Sequence, residues 1–265
     1  MIIKDYVRER KNVLKDEISS FERTPKLVII QVNDDPASCA YVKGKLKDAA
    51  EIGINAELLK FPITITQEEL LKEIDKVNND ESVDGLIVQM PLPKGIDEEL
   101  IKLSVNPAKD VDGFHPLSSF VPCTPKGIID YLKASEVSFV GKNAVVIGRS
   151  NIVGKPVAKL LLQEHCNVTV LHSRTKEEDM NFYLAHADII VIAIGKMHFL
   201  DKQTLKKSAV VVDVGISRDE NGLHGDARPG LDVALQTPVP GGVGLLTRLS
   251  LMSNLVLAYK NKIGK

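Results

Sequence analysis

Apolar and polar positions alternate along this chain in two periods. The run Ala144, Val145, Val146, Ile147 is short, apolar and β-branched, and Gly148 ends it. Such a run fits a strand buried on both faces of a parallel sheet. From Val153 onward the apolar positions Val157, Leu160 and Leu161 recur at helical spacing, so 144–156 predicts strand, tight turn and helix, the first half of a nucleotide-binding βαβ unit. Earlier in the chain, Ile3, Tyr6, Val7, Leu14 and Ile18 share one helical face within 2–21. Strands are expected at 27–32, 55–59 and 85–88, with a helix at 67–77 between the last two. Asp35 and Pro36 supply an N-cap and a first-turn proline for a helix that reaches Ile52 and ends at Gly53. Thr124 and Pro125 promise the same for a helix with Ile128, Ile129 and Leu132 on its apolar face. Further strands are expected at 168–171, 189–192 and 210–212. The segment 237–244, TPVPGGVG, is too rich in proline and glycine to be regular, and an apolar helix follows over 245–259.

Composition narrows the class. A chain of 265 residues holds one large or two modest domains. With 44% hydrophobic and 26% charged residues and a net charge of -1, it has no basic surplus for nucleic acid or an anionic membrane surface. Cys39, Cys123 and Cys166 are odd in number and lack C-x-x-C spacing, which argues against a disulfide framework and a zinc site and fits a reducing, cytoplasmic setting. No apolar run approaches bilayer length, and the charged N-terminal segment has no export-type apolar core.

Candidate chemistry lies at the ends of the predicted strands. In the dinucleotide fingerprint G-x-G-x-x-G, glycines permit the turn, the approach to pyrophosphate and close helix packing. Here Gly148 keeps the first position, Ser150 and Val153 take the others, and Gly154 comes one place late. The next strand ends in His172, Ser173, Arg174 and Thr175, with no acid to hold an unmodified ribose. A hydroxyl and a guanidinium suit a 2′-phosphate, so NADP is the expected cofactor. A capped connection with a solvated Arg174 would give the same residues. Ser38, Tyr41 and Lys45 sit at i, i+3 and i+7 and project from one helix face. That face is either a solvated stripe or a site in which Tyr41 and Lys45 polarise a substrate and move a proton, the lysine's pKa falling from about 10.4 on partial desolvation. Gln89, before Met90-Pro91-Leu92-Pro93, is expected at the ligand-facing end of its strand, or as an amide serving the loop backbone. The loop 106–116 carries Asp110 and Asp112 but lacks the further oxygen ligands and closing glutamate of a calcium loop, so no metal is expected. Gly195 and Gly215 close two later strands.

Taken together and in order, the Ser38–Tyr41–Lys45 helix, VQMPLP, KDVDGFHP, PCTP, GRSNIVGKP, HSRT, DVGI and PVPGGVG make the chain resemble the bifunctional methylenetetrahydrofolate dehydrogenase/methenyltetrahydrofolate cyclohydrolase family over nearly all its length. The resemblance implies a two-domain α/β fold. An N-terminal α/β folate domain would span 1–136, a Rossmann-like NADP-binding domain 137–244, and a C-terminal helix over 245–265 would pack back on the first domain, with folate in the cleft. It implies Lys45 as the catalytic lysine, Tyr41 as its stacking partner, Gln89 as the amide orienting it and Asp112 as the acid anchoring the pterin. Pro240, Gly241 and Gly242 would contact the substrate. On the cofactor side it implies Gly148, Arg149, Ser150 and Ile152 at the phosphate turn and Ser173 and Arg174 at the 2′-phosphate. Gly195, Ile216 and Thr247 would also contact the cofactor, Ile216 through its backbone near the nicotinamide. A homodimer acting on tetrahydrofolate derivatives is expected on the same ground. The chain departs from the family after PVPGGVG, where Leu245 and Leu246 replace proline and methionine, and over 225–236, which is shortened and altered.

Overall fold

Asp35 and Pro36 start their helix as the sequence requires: the Asp35 carboxylate accepts the Ser38 N–H, and Gly53 closes the helix in the left-handed region at φ 84°. The computed structural model describes residues 1–264; Lys265, the last residue of the expected returning helix, lies outside them. In chain order the elements begin with α1 (Ile3–Ser19), β1 (Lys26–Gln31), α2 (Pro36–Ile52), β2 (Asn55–Lys60), α3 (Gln67–Asn79), β3 (Gly85–Val88), α4 (Glu98–Ser104) and α5 (Cys123–Ala134). There follow β4 (Asn143–Ile147), α6 (Gly154–Gln163), β5 (Asn167–Leu171), α7 (Glu177–His186), β6 (Ile189–Ile192), β7 (Val210–Asp213), β8 (Ser217–Asp219), β9 (Gly222–His224), β10 (Leu235–Gln236) and α8 (Val243–Lys262). Among the described residues no helix is long and apolar enough to cross a membrane.

The chain divides into two units. One comprises Arg8–Cys123 and the chain from Arg248 onward. Its sheet is parallel, ordered β2-β1-β3, with Ile30 of β1 opposite Val88 of β3. Val28, Ile30 and Leu86 pack with Leu70 and Ile74 of α3 into one core. Each such side chain, fully buried, contributes about 1.5–3 kcal/mol. Lys109 closes α3 from the side: its Nζ donates to the carbonyls of Val77, Asn78 and Asp80 at 2.9, 2.8 and 2.6 Å, satisfying orphan acceptors at the helix end.

The other unit comprises Met1–Val7 and Thr124–Thr247. Its five-stranded parallel sheet has the order β10-β7-β6-β4-β5. The chain switches direction across the sheet between β4 and β6, and a crevice outside the carboxyl ends at such a switch is where open α/β sheets bind ligands. Val145, Ile190 and Val211 pack against Met180 and Leu184 of α7 beneath it.

Five features differ from the sequence reading. The sheet has a fifth strand, β10, two residues long; the hairpin β8–β9 and the short helix α4 were not foreseen. α5 begins at Cys123, so Thr124 lies inside the helix rather than capping it, and its hydroxyl meets that of Thr247 at 2.9 Å. Pro125 is still in the first turn, where a missing N–H costs nothing. α8 starts at Val243, two residues early, because Gly244 is tolerated in a first turn held by packing.

Candidate active site

The inward face of α2 is built from a helical repeat that includes polar residues. Ser38, Val42, Lys45, Asp48, Ala49 and Ile52 are all buried, so the face that sequence left open between solvent stripe and site points into the unit. Lys45 is 4% exposed. Its Nζ donates to Gln89 Oε1 at 3.1 Å and lies 5.5 Å from the centre of the Tyr41 ring. Gln89 sits one residue beyond β3 and is oriented from its other end, Nε2 donating to the Met90 carbonyl at 2.7 Å. The loop-satisfying alternative from sequence is met by the Nε2 contact, while Oε1 is turned to Lys45. The amine has an amide oxygen and an aromatic face as neighbours, an environment in which a proton is held at a fixed position. Ser38 Oγ is buried with no hydrogen-bond partner.

The base of α2 is fixed by charge. Asp48, one turn beyond Lys45, accepts from Lys11 Nζ at 2.7 Å and stands 2.8 Å from Arg248 Nε. Arg248 Nε is buried and makes no hydrogen bond. The distance is short but the angle is poor, so the contact is an ion pair rather than a directed bond. Burial works against the Lys11 charge, but the Asp48 and Glu51 carboxylates outweigh it and raise its pKa. The Arg248 guanidinium rests on Gly44, where a Cβ would come within 1.9 Å of Nη1.

Asp110 and Asp112 share the loop after α4. Asp110 is buried, which raises its pKa despite the His115 N–H it accepts at 2.8 Å. Asp112 is half-buried; the Cys123 thiol near it donates to the Val111 carbonyl at 3.2 Å, and burial pushes that thiol well above its usual range. Asn254 of α8 clamps this loop by donating to the carbonyls of Val111 at 2.9 Å and Val121 at 3.0 Å. Asn254, Asp48 and Cys123 are supports that sequence reading missed; a polar residue within an apolar helix, as at Asn254, is the signal that was available.

In the other unit the altered fingerprint has a direct explanation. A Cβ on Gly148, at φ 118°, would meet the Ala193 carbonyl at 2.4 Å, and one on Gly154 would meet the Gly148 carbonyl at 2.4 Å. Close helix packing therefore falls to Gly154, one position late. Ser150 Oγ accepts the N–H groups of Val153 and Gly154, both at 3.2 Å, closing the turn that leads into α6.

A cleft of about 260 Å³ opens beside this turn, lined by Gly148, Arg149, His172, Ser173, Lys196 and Phe199 among others. Its donors fit a phosphorylated dinucleotide: an exposed guanidinium, a hydroxyl and an ammonium converge on one crevice at the switch between β4 and β6. Arg174 stands on the same turn, its N–H donating to His172 Nδ1 at 3.2 Å, but its side chain is exposed and outside this lining. His172, named in sequence only as part of the HSRT motif, lines the cleft, and so does Lys196, which was not foreseen although it follows Gly195 directly. Ile152 is 42% exposed and does not line the cleft.

Two buried carboxylates hold the remaining loops. Asp226 accepts the N–H groups of Ile194, Gly195 and Lys196 at 2.7, 3.0 and 2.6 Å, fixing the Gly195 turn. Asp213 accepts those of Gly215, Asp226 and Ala227 at 3.0, 3.0 and 2.8 Å, and burial raises its pKa. The altered segment 225–236 thus supplies a structural acid. Ile216, 57% exposed, lines a second small cleft with Pro240, Gly241 and Gly242. Thr247 donates to the Val243 carbonyl at 3.0 Å and pairs with Thr124, away from both clefts' linings.

Comparison with known proteins places this geometry. Residues 2–112 match the catalytic domain, and residues 122–263 the NAD(P)-binding domain, of tetrahydrofolate dehydrogenase/cyclohydrolase. The bifunctional protein FolD of Staphylococcus aureus (strain Newman) is 47% identical over 281 residues, covering 99% of this chain and 96% of that protein. The crystal structure of the bifunctional FolD methylenetetrahydrofolate dehydrogenase/cyclohydrolase of Campylobacter jejuni is 40% identical, with a TM-score of 0.94 over 98% of this chain and 99% of that one. The Trypanosoma brucei FolD structure, complexed with NADP cofactor and inhibitor, is 31% identical, with a TM-score of 0.95 over 100% and 98%.

Proposed function

The chain belongs to the tetrahydrofolate dehydrogenase/cyclohydrolase family, and on that premise we propose how its own residues carry the two reactions. It is an NADP-dependent methylenetetrahydrofolate dehydrogenase and a methenyltetrahydrofolate cyclohydrolase. 5,10-Methylenetetrahydrofolate is oxidised to the methenyl cation, which takes up water and opens to 10-formyltetrahydrofolate. The observation that carries the residue assignment is the buried Lys45 held by Gln89 beneath the Tyr41 ring.

NADP, when bound, accepts the hydride. Lys45 takes the proton from the attacking water at Nζ and returns it as the ring opens, and Gln89 holds that nitrogen in place. Tyr41 stacks on and positions the folate. Asp112 anchors the pterin's donor groups by charge-assisted hydrogen bonds. The substrate also contacts Pro240, Gly241 and Gly242. Gly148, Arg149, Ser150 and Ile152 form the phosphate turn, with the Ser150 hydroxyl closing it onto the start of α6. Ser173 and Arg174 take the 2′-phosphate, supported by Arg149 on the cleft wall, and Gly195, Ile216 and Thr247 contact the cofactor, Ile216 through its backbone near the nicotinamide. The folate domain is assigned to 1–136 with the helix from 245, and the NADP domain to 137–244.

The proposal extends to a cytoplasmic homodimer whose 10-formyl product serves purine biosynthesis. Exposed apolar side chains on the edge strand β5 and on the helices before and after it, Val170 at 38%, Leu162 at 63% and Phe182 at 58%, support a self-association face.

The test is a spectroscopic assay with 5,10-methylenetetrahydrofolate and NADP or NAD, following reduced cofactor and the methenyl chromophore together. Reduced cofactor with 10-formyl product and no methenyl build-up is expected. Persistent methenyl would leave only the dehydrogenase and remove the role given to Lys45.

A further inference from the structure

His198 and His224 are 26 positions apart in sequence, and neither is used by the folate or cofactor chemistry. The fold brings them together because the segment after Lys196 runs alongside the one after β9. The His198 N–H donates to the Gly225 carbonyl at 3.1 Å, Leu200 N–H to Asp226 at 3.0 Å, and Leu200 bridges Ala227. The two rings stand 5.4 Å apart, centre to centre, with their planes at 87°.

Three observations give this pair the character of a ligand set. His198 Nε2 is shielded from solvent and has no hydrogen-bond partner, a state that calls for an ion or water in the intact protein. His224 Nε2 is paired with Asp219 Oδ1 at 2.8 Å across the β8–β9 hairpin, leaving Nδ1 as that ring's second nitrogen. A carboxylate bound to one imidazole nitrogen while the other coordinates is the usual outer support of a metal-binding histidine. His198 also keeps a left-handed backbone at φ 52°, an unfavourable conformation for a side chain that glycine would avoid.

We propose that His198 Nε2 and His224 Nδ1 form a binding site for a divalent transition metal ion of the zinc or nickel class, with Asp219 orienting His224. The ring separation is compatible with one tetrahedral ion: metal–nitrogen bonds of about 2.0–2.1 Å place two imidazole centres roughly 5 Å apart. Among the described residues no group of three or more His, Cys, Asp or Glu side chains is placed to hold a metal, so water completes the coordination. Bound there, the ion ties the segment carrying Lys196 and Phe199, which lines the cofactor cleft, to the hairpin that follows Ile216. The site is separate from the hydride and hydration chemistry, which needs no metal in the assignment above.

The experiment is titration of the chelator-treated full chain with zinc chloride and, separately, nickel chloride by calorimetry, with nitrogen-15 spectra of the imidazoles. One equivalent is expected, with His224 metallated at Nδ1. Affinity should fall at least tenfold in H224A and in H198G, a variant that the backbone at residue 198 accepts readily, and about tenfold in D219N. Binding that survives in the double variant H198G/H224A, or a titration in which neither metal binds at one equivalent, would overturn the proposal.

Discussion

The lysine site on α2 and the cofactor cleft at the ends of β4–β6 are prepared in opposite ways. Lys45 is buried and already bonded to Gln89, on a helix whose next turn is gripped by Lys11 and Arg248. Arg149, Ser173 and Arg174 are exposed. A proton-moving group must be placed before the reaction, because reorganisation during the step adds to the barrier. An anion-binding group can stay solvated and pay only side-chain entropy when a charged ligand arrives with its own binding energy. Rigidity is thus concentrated where the bond changes are, and the cofactor side keeps rigid only its backbone, through Gly148, Gly154 and Asp226.

The sharpest break in that contrast is Lys45→Met. Cyclohydrolase activity should fall by about 10²–10⁴, the usual worth of a positioned acid–base group, while NADP affinity measured by fluorescence titration stays unchanged. A parallel loss of NADP affinity would make Lys45 a structural residue. On the open side, Arg174→Ala should weaken NADP by about ten- to hundredfold, the loss of charge-assisted hydrogen bonds, and leave NAD within about twofold, whereas Arg149→Ala, which removes a donor of the phosphate turn, should weaken both cofactors. Arg149→Ala should have the larger effect, since Arg149 lines the cleft and Arg174 does not. Equal losses for both cofactors in Arg174→Ala would remove the 2′-phosphate assignment.

Stability should divide along the same line. Gly44→Ala drives a Cβ into Arg248 and should cost about 1–3 kcal/mol in urea unfolding, with the cyclohydrolase rate falling as α2 shifts. Ser173→Ala, on the solvated side, should stay within about 0.5 kcal/mol. The smallest effect is on thiol chemistry. Burial first, with Glu164 and Asp188 nearby, raises the Cys166 pKa to about 11, and Cys123 is raised well above its usual range. A thiol-specific disulfide reagent at pH 8 should therefore label Cys39 alone in the native protein; rapid labelling of Cys123 would mean that the loop held by Asn254 opens readily.

Much of the fold is local in origin. The strands at β3 and β6 appear with the boundaries their β-branched runs predict, and α2 starts and stops on its own capping residues, because burial periodicity and cap chemistry are written within a few neighbouring positions. The candidate site is legible to the same extent: Tyr41 and Lys45 share a helix face by spacing, and Gly148, Ser150 and Gly154 mark the phosphate turn.

What the sequence determined by itself is therefore the set of elements, the order of the motifs and the chemistry each residue type can perform. Only the tertiary structure decided that the polar face of α2 points inward, and that Asp226 caps the Gly195 turn. It also decided that Thr124 is a partner of Thr247 rather than a helix cap, and that His198 meets His224. The physical reason is one of range. A hydrogen bond or hydrophobic face within one element is fixed by residues three or four apart, whereas a pairing such as Leu200 with Ala227 depends on how two loops with no periodicity of their own are traced over the sheet.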